Sequence, residues 1–324
     1  METLKRLGKM IEQEIRNMDF ASRLPRELYL PVDYVMSNGG KRIRPVFCLL
    51  ACEMFSGNPA AALRPALAIE IFHNFTLLHD DIMDKADLRR NKPTVHKKWN
   101  ENTALLSGDA MMVLSFDLIS SVKPELLPQL LPVFNRTALE VCEGQQLDMN
   151  FEALTGVTEQ MYLEMIRLKT SVLIAAAMKI GAICGSASVK DAELMYDSGI
   201  SLGMAFQIQD DLLDLYGRQE KFGKKPGGDI LLNKKTILLL TARQRAGKET
   251  GQRLNDLLEN ENDPDIKIRE IKKIFEDLDV RKITEKKAAN LFNEAMEKIN
   301  STNARNSGKS ELTGFIEAIM TRKS

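Results

Sequence analysis

The stretch "LLHDDIMDKADLRR" (77–90) sets Asp80, Asp81, Asp84 and Asp87 among apolar, helix-forming neighbours. Further along, "FQIQDDLLDLYG" (206–217) repeats the pattern with Asp210, Asp211 and Asp214. A helix turns by about 100° per residue, so residues four apart share a face: Asp80 with Asp84, and Asp210 with Asp214. Asp81 and Asp211 lie about 100° round from the first member of each pair, within reach of a bridging or supporting role. Two carboxylates about 5 Å apart repel by roughly 3 kcal/mol at an effective dielectric near 20. Two such clusters facing each other stay ionised only if cations join them; otherwise some take up protons. Oxygen donors without His or Cys suit a hard ion, and Mg²⁺ keeps several waters while sharing its other positions with phosphates. The spacing therefore predicts two acidic walls gripping a magnesium-bound diphosphate. The alternative, a pair of solvated acidic helix faces, is weakened by Leu77, Leu78, Ile82, Met83, Leu212, Leu213 and Leu215 around the acids.

Basic residues that could complete an anion site recur along the chain. "GGKRIRP" (39–45) places Lys41, Arg42 and Arg44 at a helix start, where backbone N–H groups also favour an anion. Arg89 and Arg90 follow the first cluster, with Asp87 or Glu101 as alternative ion-pair partners. Lys169 and Thr170 interrupt the apolar run "MIRLKTSVLIAAAMKIG", and so apolar a setting predicts a specific anionic partner for Lys169. Lys224, Lys225 and Lys234 flank the second cluster. All three histidines, His73, His79 and His96, lie near the first cluster. His79 next to Asp80 raises a His-Asp metal phosphohydrolase as a rival, but no histidine follows residue 96 to complete its metal shell.

The elements that must position these residues read as helices almost throughout. Leu4, Leu7, Ile11, Ile15 and Met18 mark one helix face. Further helical periodicity runs through 42–55, 60–88, 102–120, 125–152, 159–184, 188–216, 234–259, 265–277, 280–300 and 309–321. No alternating stretch is long enough to predict a strand. The turns "SNGGKR", "RRNKPT", "LTGVT" and the long loop "YGRQEKFGKKPGGD" separate them. No linker divides residues 1–324, which predicts one all-α domain of ten or more helices. Lys plus Arg equals Asp plus Glu at 45 each, so no global field favours nucleic acid or an acidic membrane. Cys48, Cys52, Cys142 and Cys184 form no CxxC pair, and Cys48 and Cys52, one turn apart in an apolar segment, are expected to be reduced core thiols. No run of eighteen apolar residues and no signal peptide is present, so a cytoplasmic protein without a membrane span is expected.

"GGKRIRP", "HNFTLLHDDIMDKADLRRNKPTVH", "LSGD", "KTS", "FQIQDDLLD" and "GKKPGGDILLNKKT" occur in the order of the trans-isoprenyl diphosphate synthases, and over residues 38–242 the chain closely resembles this polyprenyl synthetase family. The resemblance implies an all-α, homodimeric enzyme with the two Asp motifs on facing helices of a central cavity. It implies Mg²⁺, three ions per active site with substrate bound. Asp80 and Asp84, with Asp81, would hold ions bridging the allylic diphosphate; Asp210 and Asp214, with Asp211, would hold the third. Lys41, Arg44, His73 and Arg90 would bind isopentenyl diphosphate, and Arg89, Lys169, Gln207, Lys224 and Lys234 the allylic diphosphate (dimethylallyl, geranyl or farnesyl). Thr170 and Gln207 would also present oxygens to the developing carbocation. In this family the isopentenyl double bond attacks the cation and a proton passes to the departing diphosphate. No protein general base is then required, in agreement with the absence of any Ser-His-Asp or Cys-His set.

The resemblance also bears on product length. Phe75, five residues before Asp80 and roughly 7–8 Å along the helix, resembles the aromatic plug of short-chain synthases, and Thr76 leaves some room beside it. A C20 product, geranylgeranyl diphosphate, is expected, with C15 farnesyl diphosphate close behind. The alternative makes Phe75 ordinary core, with Phe72, Met111, Met112 and Phe116 setting the depth. Two departures stand out: Asn91 replaces the usual Gly after the paired arginines, and Arg322 and Lys323 make only a short basic tail. Two other readings are a non-catalytic subunit of a heteromeric prenyl synthase, disfavoured by both intact Asp motifs, and a terpene cyclase, in which "GGKRIRP" would have no role.

Overall fold

Apolar residues at helical spacing become helices over most of the chain. The computed structural model describes residues 2–217 and 227–320. The first ten helices are α1 (Glu2–Asn17), α2 (Arg26–Ser37), α3 (Ile43–Ser56), α4 (Leu63–Met83), α5 (Val95–Lys98), α6 (Glu101–Ser120), α7 (Leu127–Ala153), α8 (Glu159–Ile166), α9 (Val172–Cys184) and α10 (Val189–Tyr216). Helices at Gly228–Leu231, Ile237–Arg245, Lys248–Asn260, Pro264–Asp277, Val280–Asn300 and Asn306–Met320 follow. Among the described residues the only sheet is a two-stranded antiparallel hairpin, β1 (Leu88–Arg89) with β2 (Lys92–Pro93). The all-α class holds.

The chain forms two compact units: Met1–Arg136 with Ala176–Tyr196 and Thr302–Ile316, and Thr137–Ala175 with Asp197–Ser301 and Glu317–Ser324. In the first, α1 buries Leu7, Ile11 and Ile15, one residue per turn. Helix α4 is apolar nearly all round and is buried over most of its length, packed against α3 and α6. In the second, Tyr162, Met165, Ile208, Leu212 and Leu215 pack with Ile237–Leu240, Leu254, Leu258, Ile274 and Phe275.

Several boundaries differ from the sequence expectation. The 60–88 helix ends at Met83, because Lys85, Arg90 and Asn91 take φ of 53°, 53° and 60°, conformations a helix cannot continue through. Helix α2 was not foreseen: Pro25 and Pro31 bracket its first turns and break the periodic signal. The 234–259 helix divides at Ala246 and Gly247, both extended. Helix α6 is long and apolar enough to cross a bilayer by length and composition, although it carries Asp109 and Asp117. It nevertheless buries Ala104, Ser107, Gly108, Met111 and Ser115, and it packs on α4.

Candidate active site

In the first unit, α4 carries His73, Asp80 and Asp81, and Asp84 caps its C-terminus, donating its N–H to the Asp80 carbonyl at 2.8 Å. The chain then turns into the hairpin. Arg89 Nε donates to Asp81 Oδ1 at 2.7 Å, and its Nη2 reaches Asp80 Oδ2 at 3.5 Å. Asp81 is 5% exposed; burial raises its pKa, and the Arg89 charge opposes the rise. Asp80 is half-buried and Asp84 exposed. Asp87 pairs with Lys97 at 2.9 Å and lies outside the cluster. Arg89 therefore pairs with neither Asp87 nor Glu101, but with the acidic pair itself.

Arg90 and Asn91 occupy the two loop positions between the paired Arg89 and Lys92, and both are left-handed, as a type I′ hairpin requires. Asn adopts that conformation readily, so Asn91 serves the turn in place of glycine. Arg90 Nη1 donates to the Gly39 carbonyl, and a side chain at Gly40 (φ 135°) would meet the Arg90 guanidinium at 2.9 Å. Tyr34 on α2 donates to the Pro93 carbonyl at 2.8 Å and packs edge-on against Trp99 at 5.4 Å, which fixes the hairpin's outer strand.

Next to it, Arg44 Nη1 lies 3.1 Å from His73 Nε2. Arg has no acceptor, so Nε2 accepts and the proton of the neutral ring sits on Nδ1. Burial pushes the His73 pKa well down, and Arg44, Arg90, Arg89 and Arg42 push it further. Arg44 Nε is buried without a partner. A buried donor among like charges is a seat for an anion. Arg42 is the exception in "GGKRIRP": it is buried, bonded to Glu70 at 2.6 Å, Glu12 at 2.7 Å and the Met36 carbonyl at 2.6 Å, and is structural. Lys41 beside it is exposed. The histidines do not assemble: His79 turns to the Leu105 carbonyl at 3.2 Å and the Phe75 ring at 4.7 Å. Phe75 is buried against Phe72, which in turn meets Phe134, and Thr76 bonds the His73 carbonyl at 2.8 Å.

In the second unit the helix through 159–184 is interrupted by one π turn, Arg167–Ser171, with the Val172 N–H bonded to the Arg167 carbonyl. π turns are costly and occur often at functional sites. This one carries Lys169 and Thr170. Two glycines let neighbouring helices approach it: a Cβ on Gly144 of α7 would lie 2.3 Å from Lys169 N, and one on Gly203 of α10 would lie 2.5 Å from Ser171 Cα. Lys169 Nζ meets Asp148 at 2.6 Å, the anionic partner its apolar setting required. Thr170 Oγ1 donates to Gln207 Oε1 at 3.2 Å, and Gln207 Nε2 donates to Asp211 Oδ1 at 3.2 Å. Asp211 is 4% exposed; its other oxygen accepts from the Tyr162 hydroxyl and from Ile237 N at 3.3 Å. Burial pushes the Asp211 carboxyl up to about 7 against those donors. Asp214 accepts from Asp229 N at 3.0 Å, while Asp210 is exposed. Burial and Asp214 push Asp229 up to about 6, opposed by Lys234 at 3.9 Å and reinforced by Asp210 and Asp148. Lys224, with Lys225, Arg322 and Lys323, lies outside the described residues.

Among the described residues no three His, Cys, Asp or Glu side chains converge to enclose an ion by themselves. The donors still fit magnesium, which takes one or two carboxylates and fills its octahedron with waters and phosphate oxygens. Asp80 and Asp84, and Asp210 and Asp214, are of that kind.

A polyprenyl synthetase family model matches residues 25–278. The chain belongs to this family. A geranylgeranyl diphosphate synthase of Methanosarcina mazei is 45% identical over 226 residues, 69% of this chain and 70% of that one. A geranylfarnesyl diphosphate synthase of Natronomonas pharaonis is 39% identical over 239 residues, 68% of this chain and 70% of its own. A crystal structure of a geranylgeranyl pyrophosphate synthase superposes with a TM-score of 0.94 at 43% identity, covering 100% of both chains.

For a polyprenyl synthetase, the sequence reading omitted three residues near the second cluster: Tyr162, Asp148 and Asp229. Tyr162 precedes Lys169 by seven residues, two turns on the same face, a signal that periodicity could have supplied. Asp229 stood inside the quoted "GKKPGGDILLNKKT" as an acid among lysines. Asp148 meets Lys169 only through the tertiary fold, and no local pattern marks it.

Proposed function

We propose that the chain is a magnesium-dependent prenyltransferase condensing isopentenyl diphosphate head-to-tail (1′-4) with dimethylallyl, geranyl and farnesyl diphosphates. Geranylgeranyl diphosphate is the principal product and farnesyl diphosphate the alternative. The observation that carries this is in the first unit: Arg44, with an unpaired buried Nε, against neutral His73 and beside Arg90, adjoining Asp80, Asp81 and Arg89. One part of that arrangement takes a diphosphate by direct cationic contact; the other takes it through cations.

Lys41, Arg44, His73 and Arg90 hold isopentenyl diphosphate. Neutral His73 adds no charge and accepts from Arg44, which aims the guanidinium. Arg89 neutralises Asp80 and Asp81 before substrate arrives, then turns to the allylic diphosphate with Lys169, Gln207, Lys224 and Lys234. Asp80 and Asp84 are the ion-holding residues of the first motif and Asp210 and Asp214 those of the second, three ions in all. Asp81 and Asp211 support them from buried positions. Magnesium supplies the positive charge that makes diphosphate a good leaving group. Thr170 and Gln207 oxygens face the carbocation, and the chain works as a cytoplasmic homodimer. Exposed Leu105, Leu106 and Val113 on α6 support self-association.

The test is chromatography of dephosphorylated products after the chain alone is given isopentenyl diphosphate, each primer and Mg²⁺. Elongation ending mainly at C20 is expected, and Phe75→Ala should shift the product ladder upward. No isopentenyl incorporation would leave the non-catalytic subunit standing, and an unchanged ladder from Phe75→Ala would remove Phe75 from control of length.

A further inference from the structure

What the Thr170 and Gln207 oxygens offer to a positive charge depends on where their protons go, and the second unit settles that by a chain of hydrogen bonds. It begins at Tyr162, 3% exposed on α8, which donates its hydroxyl proton to Asp211 Oδ2. Ile237 N donates to the same oxygen, and Gln207 Nε2 donates to Oδ1 at 3.2 Å. Three donors thus converge on a buried group that, ionised, can only accept. Because its amide nitrogen is committed to Asp211, Gln207 turns Oε1 the opposite way, where it takes the Thr170 hydroxyl proton at 3.2 Å. The Thr170 oxygen is then left with lone pairs and no free proton. Were the chain reversed, the Gln207 N–H and the Thr170 O–H would point outward and oppose a developing cation.

We infer that Tyr162 and Asp211 are positioning residues that fix the direction of the Tyr162–Asp211–Gln207–Thr170 chain, so that Thr170 and Gln207 face the reacting carbon with lone pairs. This rests on the prenyl-transfer reading and deepens it. It also separates the two acids of "QDDLLD": Asp210 is exposed, whereas Asp211 is buried with both oxygens accepting hydrogen bonds.

Tyr162→Phe keeps the ring in the core and deletes only the donor. Asp211→Asn brings an amide N–H against at least one of the existing donors and so breaks or reverses the chain. For the full-length enzyme we expect Tyr162→Phe to lower kcat roughly ten-fold, the effect of losing about one hydrogen bond. KM for both diphosphates and the half-saturating Mg²⁺ concentration should stay within about two-fold. Asp211→Asn should lower kcat further, again without moving the Mg²⁺ dependence. A purely structural pair would lower the melting temperature and leave kcat alone, and that result in either folded variant overturns the inference. A rise in half-saturating Mg²⁺ with Asp211→Asn, in step with lost kcat, also overturns it by making Asp211 an ion ligand. A wild-type chain that transfers no prenyl group overturns both readings, whereas an active wild type matched by Tyr162→Phe overturns this one alone.

Discussion

At Asp81 and Asp211 the cost of crowding carboxylates is met by internal partners: Arg89 at 2.7 Å for the first, and the Tyr162, Gln207 and Ile237 donors for the second. The DDxxD spacing was legible in the sequence, since it is a property of one helix. Gln207, one turn before Asp211 on the same helix, shares that local origin; Tyr162 and Ile237 reach Asp211 across the tertiary fold, and Arg89 returns to Asp81 only through the hairpin. His73 shows the same division. Its place beside the acids could be read from the chain, but its neutral state follows from burial beside Arg44, Arg90 and Arg89. That state links stability to pH. Below about pH 6.5 an unfolded histidine takes a proton, while folded His73, with its pKa held well lower, does not. The unfolded chain then binds more protons, so stability falls as pH drops from about 6.5 toward the folded pKa, by at most about 1.4 kcal/mol per pH unit. Above that window His73 contributes no slope. His73→Gln should therefore have a shallower loss of melting temperature between pH 7 and pH 5 than the wild type; parallel curves would show that His73 titrates as it does in the unfolded chain.

Among the elements, the π turn at Arg167–Ser171 could not be disclosed by the sequence. Lys169 and Thr170 within an apolar run signalled an anomaly, but a five-residue turn leaves no mark on a 3.6-residue period. Its seat is made by glycines on other helices. The hairpin was also hidden: "LRRNKP" is too short for alternation, and its I′ geometry shows only in the left-handed Arg90 and Asn91. Gly203→Ala should push Ser171 from its seat, where the new Cβ would lie 2.5 Å from Ser171 Cα. We expect a loss of about 1–3 kcal/mol in denaturant unfolding, together with reduced kcat as Thr170 shifts. Gly314→Ala, at an exposed helical position with nothing within 4 Å, should instead be neutral or stabilising by up to about 1 kcal/mol. Equal effects at the two sites would mean that α10 does not clamp the π turn.

At the scale of the whole molecule, the chain carries equal numbers of acidic and basic residues, 45 of each, so its affinity for anions is local. The motifs were legible because this chemistry needs carboxylates and cations at fixed helical offsets, whereas the aromatic cluster of Phe72, Phe75, Phe116 and Phe134 comes together only in the fold. The central claim is that Asp80, Asp84, Asp210 and Asp214 serve to bind cations which in turn bind diphosphate. Its most direct test is calorimetric titration of the full chain with a non-reactive allylic diphosphate analogue, with Mg²⁺ and without it, in the wild type, Asp84→Asn and Asp214→Asn. Binding that tightens by at least ten-fold with Mg²⁺ in the wild type, and loses most of that gain in both variants, is the predicted result. Wild-type affinity indifferent to Mg²⁺ would contradict it.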